Sequence, residues 1–356
     1  MLVATMVGSL AGTARIVSLS VAGGAIATAY CRLDGMTTRF GIFLPQGWRM
    51  DLAYIADPVE QWEAMTAVAK AADAGSWDSI WLYDHFHTVP EPSANATFEC
   101  WTSTAALARD TRRVNIGQMV GCNGYRNPAL YAKIASTVDV ASHGRLYAGI
   151  GAGWYEHEWR AYGYEWPELK DRMGAFREAV QVITGMWTQD AFEFKGKYYS
   201  VDKPYNEPKG VRKPHPSLWI GGGGEKVTLK LVAQYGDACN VGGGDPAVIR
   251  EKLAILRNHC ETVGRDYDQI TKSTSLNVFP IRAGQDPEMV ADERIRGGRS
   301  FATFADGMVI GTDAQIADEI SAAIDAGIDY VILYVPGVAY DLELVSRVEA
   351  ITRQFG

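Results

Sequence analysis

DAQIADEISAAIDAGIDYVILYV, residues 313–335, sets a helical stretch directly before a β-prone run. Acidic residues come early in the helical part and Gly327 stands where a helix closes. The run from Tyr330 to Val335 then has the apolar continuity of a strand in a parallel sheet. Helix followed by strand is the repeating step of a β/α fold.

Upstream, PVEQWEAMTAVAKAADAG (58–75) precedes SIWLYD (79–84) on the same plan. From Arg39 onward eight β-prone runs alternate with longer amphipathic stretches. They are RFGIFL (39–44), SIWLYD (79–84), VNIGQMVG (114–121), RLYAGI (145–150), SLWIGG (217–222), ACNVGG (238–243), STSLNVFPI (273–281) and YVILYV (330–335). Eight repeats with no linker or break in composition predict one α/β domain, a (β/α)8 TIM barrel over residues 36–356. Two departures from even spacing read as insertions after strands four and seven. Residues 188–216 hold the hairpin-like FEFKGKYYSV, and 284–311 hold ERIRGGRSFATFADG.

A chain of 356 residues, 47% hydrophobic, can bury a large core. Its net charge of -8, with no run of Lys or Arg, argues against nucleic acid as a partner. A small-molecule substrate and a second copy in a homodimer are the partners expected. Five cysteines (Cys31, Cys100, Cys122, Cys239, Cys260) are odd in number and never paired as Cys-x-x-Cys, which suits a reducing cytosol rather than a disulfide framework. Residues 1–35 contain IVSLSVAGGAIATAYC, which has a weak signal-peptide character. No Lys or Arg precedes Arg15, however, and Gly, Ser and Thr dilute the apolar stretch. The segment is read as a disordered extension or a mis-assigned start, with a cytoplasmic barrel behind it and no membrane span.

In such a barrel the chemistry sits at the C-terminal ends of the strands. The second strand ends in Asp84-His85-Phe86-His87, the third in Gly121-Cys122-Asn123 and the fourth in Gly151-Ala152-Gly153-Trp154. A His-x-His pair can anchor a metal, but the ends of strands five and six offer glycines instead of further ligands, so no metal is expected. Those glycines form two loops that lead into helices, Gly221 to Gly224 before Glu225, and Gly242 to Gly244 before Asp245 and Pro246. Asp245 is the expected N-cap and Pro246 the first helical residue. Backbone N–H groups in such loops can cradle a phosphate. Trp48, Trp154, Tyr155 and Trp159 either build an apolar pocket or pack as ordinary core.

FGIFLPQG, WLYDHF, GCNGYRNPALYAK, SHGRLYAGIGAGWYEHEWRAYGYEWP, PHPSLWIGGGGE and DACNVGG, in that order, resemble the bacterial luciferase-like superfamily, and within it the branch that uses the deazaflavin coenzyme F420. The resemblance implies an F420-dependent oxidoreductase that passes hydride to or from an organic substrate. The alternatives are an FMN-dependent monooxygenase and a non-catalytic flavin-binding protein. It implies that Asp84 and His85 lie beside the cofactor ring, with His85 moving a proton. Val120 to Asn123 would carry a bulge with a non-proline cis peptide, placed at Gly121–Cys122, behind the ring. Gly151 and Gly153, together with Gly222, Gly223, Gly224, Glu225, Gly242 and Gly243, would hold the cofactor. Trp154 stands where sugar-phosphate dehydrogenases of the superfamily carry Glu, which argues against a sugar phosphate as substrate.

Overall fold

The computed structural model describes residues 37–356 in full and, before them, the backbone of Ala14–Ser20 and Ile26–Arg32, two strands paired antiparallel. The remainder of residues 1–36 lies outside the described residues, and with it the expectation of a disordered extension or mis-assigned start.

Eight strands carry the domain: β1 Arg39–Phe43, β2 Ser79–Leu82, β3 Asn115–Gln118, β4 Leu146–Gly151, β5 Ser217–Gly221, β6 Ala238–Asn240, β7 Thr271–Pro280 and β8 Tyr330–Tyr334. Each pairs in parallel with the next, and β8 returns to β1 through Tyr330↔Arg39, so no edge is left open. Eight main helices cover the outside: α1 Pro58–Ala74, α2 Cys100–Asp110, α3 Pro128–Ala141, α4 Leu169–Thr188, α5 Thr228–Tyr235, α6 Pro246–Val263, α7 Asp313–Asp325 and α8 Glu343–Thr352. The predicted runs sit on all eight strands. The third ends early, at Gln118, and Gly121–Cys122 resumes pairing with the end of β4.

The helix starts follow from local chemistry. Asp57 and Asp245 each accept two main-chain N–H bonds ahead of Pro58 and Pro246, and Thr312 forms a capping box with Gln315 at the start of α7. Both insertions are present. Glu193–Lys195 and Ser200–Asp202 make an antiparallel hairpin, and three short helices between Pro287 and Ala305 follow β7.

Inside the barrel, alternate residues face the axis and stack as aromatic rings. Trp81 sits near the centre, and the flanking strands make room by having no side chain: a Cβ on Gly41 would lie 2.3 Å from Trp81, and one on Gly117 2.5 Å from it. Trp219, Tyr147 and Tyr330 pack against Trp81. Below them the Tyr330 hydroxyl donates to Asp78 at 2.5 Å and also meets Ser79, while Tyr147 reaches the same carboxylate at 3.2 Å. Rings and hydroxyls together close the lower end of the barrel.

That closure predicts a cost for Tyr330→Phe. It keeps the ring but leaves the Asp78 carboxylate short of a donor and the buried Ser79 short of an acceptor, so unfolding free energy should fall by about 1–3 kcal/mol in denaturant titration. An unchanged midpoint would show that the hydroxyl network adds nothing.

Candidate active site

The alternation that turns Trp81 and Tyr83 to the barrel axis carries on past the end of β2, placing His85 at the mouth on the same side and Asp84 on the opposite one. His85 is held on two faces. The Trp48 indole stacks on its ring, with centroids 4.3 Å apart and planes within 4°. Its Nδ1 lies 2.8 Å from Glu158 Oε2.

Glu158 has no exposed surface and comes from the short helix Glu156–Ala161, which follows β4. The carboxylate accepts from Tyr125 Oη at 2.6 Å and from the main-chain N–H groups of Phe86 and His87, each at 2.8 Å. Burial alone would raise its pKa. The hydrogen bond and charge of His85, with the Tyr125 and His87 donors, outweigh that and hold it below the ordinary 4.5. An ionised carboxylate only accepts, so His85 Nδ1 carries the proton and Nε2 is the free nitrogen.

Asp84, on the other side, is buried and fully engaged. Arg126 grips it with both guanidinium nitrogens, at 2.6 and 3.0 Å, and the Cys122 N–H donates at 2.7 Å. Arg126 also reaches Glu99. Asp84 thus fixes the end of β3 from behind.

The cis peptide lies two bonds earlier than expected, just before the Val120–Asn123 span. It joins Met119 to Val120, whereas Gly121–Cys122 is trans. Gly121 and Cys122 are held in a regular parallel ladder with Ile150 and Gly151, and Met119 N bonds Leu82 O, so the break in pairing falls between these two anchors. The Val120 side chain then wedges between neighbouring strands. A Cβ on Gly151 would lie 2.6 Å from it and one on Gly221 2.7 Å, so only glycine lets β4 and β5 close around it.

Above this bulge opens a cavity of about 350 Å³. Its wall contains the predicted Trp48, Asp84, His85, Val120, Gly121, Cys122, Gly151, Gly153, Trp154, Tyr155 and Gly222, together with Tyr83, Met119, Tyr125, Thr228 and Asn240. Asn123 is buried nearby and bonds the Tyr199 hydroxyl. Gly223, Gly224, Glu225, Gly242 and Gly243 are not in the wall. Trp159 packs in the core with Cys122 and Tyr125. His87 packs on His157, with centroids 5.0 Å apart. No group of three or more His, Cys, Asp or Glu among the described residues could hold a metal.

The two glycine loops differ in what they leave for an anion. At the start of α5 the N-cap is Val227, which has no side-chain oxygen to satisfy the first turn, and Thr228 faces the cavity. At the start of α6 the Asp245 carboxylate already occupies the Ala247 and Val248 N–H groups. The loop after β5 therefore suits a phosphate, and the loop after β6 serves its own helix.

Sequence reading missed Glu158 and Arg126. Each is a charge beside aromatic residues, in YEHEW and GYRNP, which signals that the segment packs but not which of its charges is buried against a partner.

The family described as luciferase-like monooxygenase matches residues 38–292. The F420-dependent glucose-6-phosphate dehydrogenase of Amycolatopsis mediterranei is 31% identical over 216 residues, 59% of this chain and 63% of that protein, so the chain spans under two thirds of that relative. The FMNH(2)-dependent dimethylsulfone monooxygenase of Pseudomonas putida is 26% identical over 67% of this chain and 74% of that protein. Among solved structures, an F420-dependent secondary alcohol dehydrogenase in complex with an F420-acetone adduct superposes with a TM-score of 0.69 at 22% identity, covering 88% of this chain and 99% of that one. No helix among the described residues is long and apolar enough to cross a membrane.

Because the folded-state pKa of Glu158 is depressed, its contribution to stability is complete above about 4.5 and disappears as pH falls through the folded value. Glu158→Gln should be less stable than wild type near pH 7 by roughly 1–3 kcal/mol. The gap should narrow on acidification when unfolding is followed at a series of pH values. Parallel stability curves would mean that folding leaves the carboxyl's pKa unchanged, and a wild type that lost stability relative to the variant as pH rose would mean that it stays neutral in the fold.

Proposed function

The chain belongs to the luciferase-like monooxygenase family, and on that premise we propose that it is an oxidoreductase that binds coenzyme F420 and oxidises or reduces an organic substrate at the mouth of its barrel. The observation that carries the reading is His85 at the cavity wall, with a buried carboxylate behind it and a platform of glycine and main chain beside it. The F420-dependent dehydrogenases among its relatives support the choice of cofactor.

The residues fit such a group. Gly151 and Gly221 leave the Val120 bulge bare as a flat shelf, and the loop after β5 offers uncapped N–H groups to a phosphate. Bound F420 would supply a carrier for two electrons and a hydride. His85 handles the accompanying proton. Its Nδ1 is committed to Glu158, so Nε2 takes the proton from a substrate hydroxyl or returns it to a carbonyl, and Glu158 stabilises the imidazolium that forms. Trp48 prevents the ring from turning.

Trp48, Tyr83, Met119, Trp154 and Tyr155 make the wall apolar, and it contains no Lys or Arg. The reading therefore favours a neutral alcohol or carbonyl compound over a sugar phosphate. FMN is the second reading, supported by the FMNH(2)-dependent relative. We place the protein in the cytosol, with the four described cysteines free and buried, as a homodimer that does not bind nucleic acid.

Titration with F420 and FMN tests the cofactor, with F420 expected to bind at least tenfold more tightly; a tenfold preference for FMN would overturn it. His85→Asn should lower turnover by about a hundredfold to ten-thousandfold with cofactor affinity within about threefold. Full activity in that variant would leave the imidazole a structural group.

A further inference from the structure

A second cavity, of about 300 Å³, runs between α4 and α5 on the outside of the barrel. Its wall holds Arg177 and Gln181 from α4 and Lys226, Lys230, Gln234 and Tyr235 from the α5 side, with no Asp or Glu among them. On a chain of net charge -8, a groove with three cations and no carboxylate is a local reversal of sign. Among the described residues, Arg177, Lys226 and Lys230 form no ion pair. Nearby acids are taken elsewhere: Glu225 pairs with Lys252 on α6, and Glu178 accepts from the main chain of Lys197, Tyr198 and Tyr199.

Position gives the groove its meaning. Gly222 and Thr228 face the active-site cavity, while Lys226 and Val227, which lie between them in the chain, face the groove. One exposed ribbon of main chain is the wall of both. A ligand whose phosphate rests on this ribbon and whose chain continues outward crosses directly into the cationic groove. F420 continues beyond its phosphate into a chain of glutamates, whereas FMN ends at the phosphate.

We propose that the groove between α4 and α5 is a binding site for the oligoglutamate tail of the cofactor. Arg177, Lys226 and Lys230 attract its carboxylates, and Gln181, Gln234 and Tyr235 offer neutral hydrogen bonds. The site would favour F420 over FMN through charge rather than through the ring. The proposal rests on F420 being the cofactor, and the test separates the two.

The experiment measures equilibrium binding, by fluorescence quenching or calorimetry, of F420 without glutamates, with a short tail and with a long tail, at low and high salt. Wild type is compared with Arg177→Glu/Lys230→Glu, whose side chains line the groove away from the phosphate ribbon, and with Lys70→Glu/Arg112→Glu, a remote pair that changes net charge equally. Exposed ion pairs contribute factors of about two to five each. Wild-type affinity should therefore rise with tail length, and high salt should flatten the rise. The groove variant should lose about tenfold or more for the long-tailed form yet bind the tail-less form within about twofold of wild type, which also shows that it is folded. The remote pair should behave as wild type. Equal affinity for every tail length in all three proteins would overturn the groove and leave F420 standing as the cofactor. Failure of every F420 form to bind wild type would overturn the cofactor reading and the groove together.

Discussion

Everything at the mouth of this barrel is arranged around one carboxylate that cannot see water. Glu158 accepts from a side chain on β3's extension, from two main-chain amides beyond β2 and from His85, so a single group ties three strand ends together. A buried charge is costly unless every lone pair is used. That requirement gives the loop after β2 its shape, since the amides of Phe86 and His87 must turn toward the same oxygen. It also leaves the imidazole only one orientation.

The second buried charge, Asp84, does the same work from behind. Arg126 and the Cys122 amide satisfy it, which pins the strand interruption at Met119–Val120 and brings Val120 up as the shelf. Two adjacent residues in the chain, Asp84 and His85, thus face opposite ways, one building the platform and the other facing the cavity above it.

The barrel was legible in the sequence because its signal is periodic. Eight apolar runs with capped helices between them admit few other folds, and the cap at Asp245 sits where turn chemistry puts it. His85, Trp48 and, of the strand-end glycines, Gly121, Gly151, Gly153 and Gly222 were legible because position in a barrel assigns them to the mouth, whereas Gly223, Gly224, Gly242 and Gly243 lie outside the wall. What could not be read was pairing across distance. Glu158 is 73 positions from His85, and nothing in YEHEW says which of its two glutamates turns inward. The cis bond was displaced by two residues for a similar reason, since ladder pairing with β4 decides where a strand may break and β4 is remote in sequence. Nor does glycine content distinguish a loop that offers its amides from one whose helix is already capped by an aspartate.

Beneath the cavity, Trp81, Trp219, Tyr147 and Tyr330 fill the barrel from wall to wall. The vessel has a bottom, and so it has one doorway. On the proposed reading, these four rings would keep cofactor and substrate at the mouth, and whichever sat deeper would enter first and leave last.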